Sequence, residues 1–272
     1  MIMDKNDGIY EIKGGFNVLS EFYDSDELNF FLDSSKLMVN ELKLSGVKSI
    51  LDLATGTGHT AFELSKKYTD SKIIGIDISE SMLKKAEMKK SKNSNIEFKI
   101  HDIEALEFLE YKYDLITCSF GTYFIKDTVR LFKNVLQKLN RNGSFVLTCF
   151  AEESFMPFSV EYFANLREKG IIQNYPKDFS SLNEKYVSDL VIAGFSNVKT
   201  IDKRMQYKIK KAEEWWTVIW GTGFRSFLEE LDYEDLEQFK SYHLEKIDEM
   251  LKRGTDTYNL NILIMIGEVN PC

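Results

Sequence analysis

An α/β fold on a mostly parallel sheet is predicted by three features of this 272-residue sequence. Five short β-branched apolar segments lie between residues 47 and 150, helical patterns separate most of them, and the densest aliphatic run closes the chain at 259–269. Strands and helices in this alternation form parallel sheets with right-handed crossovers. The strand segments are 49–53, 72–76, 96–100, 115–118 and 144–150, with the length and composition of buried strands. Between them, 61–67, 81–89 and 128–139 carry apolar side chains at i, i+3 and i+4, the spacing of a helix packed on a sheet.

After Phe150 the rhythm breaks. Residues 151–181 mix aromatics with Pro157 and Pro176 and read as short helices and loop. A sheet-packing helix is expected over 183–193 with Gly194 as its cap, then a strand near 198–207 and helices over 212–219, 224–230 and 234–253. The run 259–269 is expected as a strand hydrogen-bonded on both sides. No repeat or Gly/Ser linker divides the chain, so 1–272 is expected as one domain. Its core is 42–150, 182–209 and 259–269, and 10–41, 152–181 and 210–254 form a helical, aromatic cover. Insertions that leave the carboxyl ends of strands in an open α/β sheet lie where ligands bind.

Charge narrows the partners. With 35 Lys and Arg against 43 Asp and Glu the net charge is −8, which repels polyanions and anionic leaflets, so nucleic acid is not an expected partner. The basic run from Lys84 to Lys92 has the spacing of a solvated helix face. No stretch reaches 18 apolar residues, and Asp4, Lys5, Asp7, Glu11 and Lys13 interrupt the start of the chain, so no membrane span or secretory leader is expected. Cys118, Cys149 and Cys272 are an odd set without CxxC spacing, which fits a reducing compartment and an expected cytoplasmic location. His59, His101 and His243 are scattered, so no metal is expected. The oligomeric state is not legible.

The chemistry concentrates at three strand ends. In Ile50-Leu51-Asp52-Leu53-Ala54-Thr55-Gly56-Thr57-Gly58-His59-Thr60-Ala61 a strand ends in an acid, passes a small-residue turn and opens a helix whose first amides face a ligand. In Ile74-Gly75-Ile76-Asp77-Ile78-Ser79 the next strand delivers Asp77 19 residues after Gly58, the offset of a carboxylate that accepts ribose hydroxyls, with Ser79 as a helix N-cap. In His101-Asp102-Ile103 a short acid can accept from an exocyclic amine beside an apolar face. A nucleoside-bearing cofactor satisfies all three. Gly56-x-Gly58-x-x-Ala61 also meets the relaxed dinucleotide fingerprint, so a nicotinamide oxidoreductase is one alternative and a non-catalytic adenosyl-binding module another. Asp52 weighs against a pyrophosphate and for a cation, because unit charges 4 Å apart interact by about 4 kcal/mol at an effective dielectric of 20.

These segments resemble the class I S-adenosylmethionine-dependent methyltransferases, closest in character to the UbiE/UbiG-like (methyltransferase type 11) small-molecule branch. Asp52 through Gly58, with Ala54, Thr55 and Gly56, resembles the acid and glycine turn of motif I. Asp77-Ile78 resembles the ribose-binding position and Asp102-Ile103 the adenine-contacting one. Tyr113 through Cys118 resembles the entry to the fourth strand, and Leu139 through Phe145 the turn before the fifth. The resemblance implies a Rossmann-like seven-stranded sheet of order 3-2-1-4-5-7-6 with an antiparallel last strand and helices on both faces. It also implies S-adenosyl-L-methionine as cofactor, S-adenosyl-L-homocysteine as product, and the backbone of Ala54 and of Ser119-Phe120 near the methionine ends. Ala54 stands where many members have glycine, a departure of little cost if its backbone is ordinary.

The reaction so implied moves a methyl group to a small, partly apolar or aromatic acceptor. Positioning alone can supply roughly 7–11 kcal/mol of such catalysis, so a dedicated base is not required. His101, Tyr23 and Tyr162 are the candidate bases or orienting groups, whereas His243, in a charged helical stretch, is expected to be solvated. Phe22, Phe158, Trp216 and Trp220 are candidates for an aromatic wall, with Arg225 for an anionic group.

Overall fold

The β-branched segments become the strands β1 (Ser49–Leu53), β2 (Lys72–Asp77), β3 (Ile96–Ile100), β4 (Tyr113–Ser119) and β5 (Leu139–Phe150) of a computed structural model. It describes residues 15–17, 19–92, 94–175 and 179–269, apart from the side chains of 179 and 180. Pro176, Cys272 and the expected cover before residue 15 lie outside these described residues. β6 (Ser196–Lys208) and β7 (Thr257–Glu268) complete one sheet of order 3-2-1-4-5-7-6, the expected topology. β7 runs antiparallel to both β5 and β6 and is bonded on both sides, which explains its density of aliphatic residues.

Strand alternation divides the core between two faces. Ile50, Leu115, Val146 and Ile264 enter one cluster, while Leu51, Ile116, Leu147 and Met265 enter the other. Helices cover both. α1 (Phe30–Glu41) packs beside α2 (His59–Lys67), joined by the Ser35 and Thr60 hydroxyls at 3.0 Å. α3 (Glu80–Lys89) follows β2 and begins at Ser79, whose Oγ accepts from Met82 N as the expected N-cap. α4 (Thr128–Lys138) precedes β5, and α5 (Phe158–Glu168) and α6 (Phe179–Ala193) follow it. α7 (Ala212–Trp220) and α8 (Tyr233–Lys252) fill the insertion between β6 and β7.

Two local expectations change. The helix expected over 224–230 is a short 3-10 turn, Gly223–Phe227, because Thr222 caps it and Arg225 O already accepts from Leu228 N. The turn expected at 139–145 lies within β5 itself. Leu139 pairs with Tyr113 and Ser144 with Leu115, so the intervening residues bulge outward, and Asn142 takes a φ of +62°.

Candidate functional site

The parallel register sets the floor of the site. Asp52 on β1 lies between Gly75 of β2 and Thr117 of β4. Its Oδ1 accepts from Thr117 Oγ1 at 2.7 Å and its Oδ2 from Thr55 Oγ1 at 2.6 Å. Gly75 makes room for this arrangement, since a Cβ there would lie 2.9 Å from Thr55 Oγ1. The Asp52 side chain is buried beneath the turn. It therefore holds the turn through Thr55, and both of its oxygens are taken up by threonine hydroxyls. Burial pushes its carboxyl up to about 6, against the two threonine hydrogen bonds, and the nearby Asp77 charge adds to the rise.

Above it runs the glycine turn. Ala54, Gly56 and Gly58 have φ of +50°, +56° and +88°. The Ala54 backbone is thus left-handed rather than ordinary, and its methyl group there costs about 1 kcal/mol. Gly58 is required from below, because a Cβ would lie 2.8 Å from Phe62 Cε2 and 3.0 Å from Phe98 Cζ. Gly56 faces the opposite side, where a Cβ would meet only Tyr23 Cε1, at 4.0 Å. The upper surface of the turn is therefore bare backbone, the surface a nucleoside cofactor needs for close approach.

Asp77 ends β2 with its Oδ2 accepting from Gly56 N and its Oδ1 from Ser79 N, both at 2.8 Å. Burial raises its pKa, opposed by the amides of Ser79, Gly56 and Ile78. Ile78 is half-buried beside it. Asp102 accepts from Glu104 N at 2.8 Å and caps the short helix that holds the buried Ile103. His101 donates through Nε2 to Ala105 O at 3.0 Å, leaving Nδ1 as its acceptor nitrogen. On β4, Ser119 Oγ lies 2.7 Å from Thr148 Oγ1, and Phe120 follows with φ +58° and its N donating to Thr148 O. The structure thus gathers Asp52, Ala54, Thr55, Gly56, Gly58, Asp77, Ile78, Asp102, Ile103, Ser119 and Phe120 at neighbouring strand ends. Two buried carboxylates beneath a turn that is half-buried at Ala54 and Gly56 and buried at Thr55, Thr57 and Gly58 suit a ribose and a cationic group better than a pyrophosphate.

The roof is anchored by Asp24, which sequence reasoning did not single out, and carries the candidate Tyr23. Asp24 accepts from Thr57 Oγ1 at 2.6 Å, His59 Nε2 at 3.1 Å and Lys89 Nζ at 3.0 Å. Burial opposes its ionisation, but the hydrogen bonds from His59, Thr57 and Lys89 prevail and hold its carboxyl well below the usual range. Asn17 Oδ1 accepts from Ser79 Oγ at 2.7 Å. Together these contacts fasten residues 15–17 and 19–25 across the ends of β1 and β2. Burial, then the charges of Asp77 and Asp24, push the Tyr23 phenol above its ordinary pKa, which disfavours its use as a base. We expect Asp24→Ala to speed amide exchange at Tyr23 and Ser25 about fivefold while β1 amides hold, from the loss of about 1 kcal/mol at a partly exposed latch. Equal exchange in both proteins would remove Asp24 from this role.

Rings meet at the mouths of β4 and β5. Tyr23 stacks on Phe31 at 4.8 Å, Phe31 meets Phe120 edge-on at 5.3 Å, Phe120 stacks on Phe150 at 4.5 Å, and Phe150 on Tyr123 at 5.9 Å. The expected wall sits elsewhere. Phe158 and Tyr162 are wholly buried inside the cover; Phe158 packs on Trp215, and Tyr162 donates to Phe224 O at 2.8 Å, with its phenol driven by burial above its ordinary pKa. Trp216 and Trp220 stack on each other at 5.8 Å, and Trp216 also faces Phe239 of α8. Phe22 is half-buried against the core. Arg225 is engaged with Gly15 O at 3.3 Å and Glu229 at 3.1 Å, tying the roof to the 3-10 turn.

His243 overturns its expectation. It is fully buried, because α8 turns this position inward between Trp215 and Asn165. Among the described residues, no three His, Cys, Asp or Glu side chains gather as a metal site, and no helix is long and apolar enough to cross a membrane.

Comparison with known proteins adds an independent finding. A family model described as "Methyltransferase domain" matches residues 44–214. The demethylmenaquinone methyltransferase of Lactococcus lactis is 31% identical over 189 residues, which cover 60% of this chain and 74% of that protein. A malonyl-[acyl-carrier protein] O-methyltransferase of Bacillus cereus is 27% identical, with 56% of this chain matched to 54% of its length, so the chain spans about half of that relative. Among solved structures, the YcgJ protein of Bacillus subtilis shares the fold with a TM-score of 0.57 at 19% identity, covering 88% of this chain and 98% of that one.

Proposed function

This chain belongs to the methyltransferase domain family and is an S-adenosylmethionine-dependent methyltransferase, and from that premise we propose that its acceptor is a small molecule with a planar or apolar body. The observation that carries this reading is the continuous series of rings Tyr23, Phe31, Phe120, Phe150 and Tyr123 beside the turn. Phe31, Phe120 and Phe150 are buried at 7% exposure and only Tyr23 and Tyr123 are half-buried, so the surface proposed for a flat or greasy partner is the edge of this series that would open when the 15–17 and 19–25 segments move aside. The relatives named for demethylmenaquinone and for a malonyl-carrier substrate point to two different acceptors; the ring series favours the quinone-like one, and with it the UbiE/UbiG-like branch.

The residues present fit the cofactor. The bare turn at 54–58 would carry its methionine part, Asp77 its ribose hydroxyls, and Asp102 with Ile103 its adenine. When bound, S-adenosylmethionine supplies an electrophilic methyl group on a sulfonium. The chain's part is to bind and orient: Asp52 and Asp77 hold negative potential under the cation, the 15–17 and 19–25 segments exclude water, and the rings align the acceptor. Tyr162, buried and donating to Phe224 O, is not assigned as a base, whereas His101 is held by Ala105 O through Nε2 and keeps Nδ1 as an acceptor, so it stays the candidate if a base is used. The one-domain division into core and cover belongs to the same proposal.

Calorimetry tests it. S-adenosylmethionine and S-adenosylhomocysteine are expected to bind and NAD to show no heat. Asp52 protonates near pH 6, so affinity for the sulfonium should fall relative to that for the uncharged thioether by roughly three- to tenfold between pH 7.5 and 5. A ratio that is flat in pH would remove Asp52 from the electrostatics. Turnover on a panel of quinols, phenols and fatty or carrier-bound acids then decides the acceptor; adenosyl binding without turnover on any of them would favour a binding module.

A further inference from the structure

Two non-glycine residues adopt left-handed backbone at the switch point of the sheet, Ala54 after β1 with φ +50° and Phe120 after β4 with φ +58°. β1 and β4 are adjacent parallel strands, so their following turns lie side by side. Between the turns stands Gly121, which is buried and has no side chain where one would collide. A Cβ on Gly121 would lie 2.6 Å from the Ala54 Cβ and 3.0 Å from Cys118 Sγ. The Ala54 methyl thus fills the space that the missing Gly121 side chain leaves. The far side of each turn is held by backbone: Thr55 N donates to Ile76 O at 2.9 Å, and Phe120 N to Thr148 O at 3.0 Å. The Phe120 ring next to this joint belongs to the ring series, against Phe31 and Phe150.

We propose that Ala54 and Gly121 are a matched pair of positioning residues, in which the Ala54 methyl seats against Gly121 and sets the spacing between the cofactor turn and the Phe120 turn. Glycine at 54 would accept the left-handed backbone without strain but would leave the turn free to sample other conformations. Alanine accepts the strain and fills the gap, so the bare surface at 54–58 and the ring at 120 are preformed relative to one another. Preorganisation of this kind raises affinity by lowering the ordering cost of binding. The inference rests on the adenosyl-binding reading above, and it concerns residues that touch neither reacting atom.

Four proteins test it: wild type, Ala54→Gly, Gly121→Ala and the double variant, each followed by thermal melting and by calorimetric titration with S-adenosylhomocysteine. Ala54→Gly is expected to melt at the wild-type temperature or above, because strain is relieved, and yet to bind about three- to fivefold more weakly, because the turn is loosened. Those opposite movements distinguish positioning from simple structural support. Gly121→Ala is expected to melt about 5 °C lower and bind more than tenfold more weakly, and adding Ala54→Gly should recover at least half of both losses, the remainder reflecting Cys118. If Gly121→Ala does not fold, Ala54→Gly alone still decides between the outcomes. Wild-type affinity in Ala54→Gly, or a double variant no better than Gly121→Ala, overturns the pairing. If the wild type binds no S-adenosylhomocysteine, the adenosyl reading fails, and the melting temperatures of the four proteins still decide whether the two residues are coupled.

Discussion

Asp77→Ala is expected to weaken S-adenosylhomocysteine binding by about 1.5–3 kcal/mol, a factor of roughly 10 to 150, the scale of charge-assisted hydrogen bonds to two ribose hydroxyls. The structure adds a second contribution to that loss. Asp77 also accepts from Gly56 N and Ser79 N, so its removal frees an amide of the turn in addition to the proposed ribose contact. In Asp77→Asn the amide oxygen retains one of these backbone bonds, and the buried charge that burial holds above its normal pKa is gone. The amide nitrogen then faces the other buried N–H, donor against donor, so thermal stability at pH 7 should fall by about 1–3 kcal/mol in Asp77→Asn while affinity falls about tenfold. A variant that binds as tightly as wild type in calorimetry would take Asp77 out of the cofactor site.

The other large effect is an acid-dependent loss of stability centred on the cover. Trp215 Nε1–H donates to His243 Nε2 at 3.1 Å, so the neutral ring carries its proton on Nδ1, 2.9 Å from the Asn165 side-chain amide. The atom placed there is Asn165 Nδ2, a donor facing a donor, so the amide is assigned the turned orientation in which Oδ1 accepts that proton. The ring has no position left for a second proton, and burial lowers its pKa to about 3 from 6.5. With the folded value depressed, the unfolded chain binds a proton first as the pH falls. The stabilisation is complete above 6.5 and is lost progressively from 6.5 towards 3, by about 3 kcal/mol between pH 7 and pH 4. Asp52 titrates in the opposite sense, and a comparison with His243→Gln cancels it because both proteins retain Asp52. At pH 7 the variant is expected to be less stable by about 2 kcal/mol, the cost of disturbing a buried hydrogen-bonded pair. By pH 4 the order should reverse. Parallel urea-denaturation curves of the two proteins across that range would show that His243 does not titrate this way.

Much of the cofactor side was legible because its determinants are adjacent in the chain. The strands announce themselves by β-branched runs, the turn by Gly56 and Gly58, and Asp77 by its offset from them, since strand, turn and helix follow one another along the backbone. Asp52 was legible as a residue but not in its contacts. Its partner Thr117 is 65 positions away and meets it only through the register of β1 with β4. The Asp24 roof and the rings of Phe31 and Phe150 were missed for the same reason, as each is an ordinary residue until the fold carries it to the strand ends. Phe158 and Trp216 were read as a wall because aromatic density marks a buried surface without telling core from chamber.

By itself, then, the amino-acid order determined the α/β class, the glycine turn, the acid that follows it and the resemblance that these carry, because periodicity and short spacings are properties of the local chain. The tertiary structure alone decided that Asp52 bonds Thr117 and Thr55, that Ala54 takes a left-handed backbone beside Gly121, and that His243 is fully buried. Each of these depends on which side chains two distant segments bring within a few ångströms, and hydrophobic pattern specifies the face a residue takes but not the neighbour it finds there.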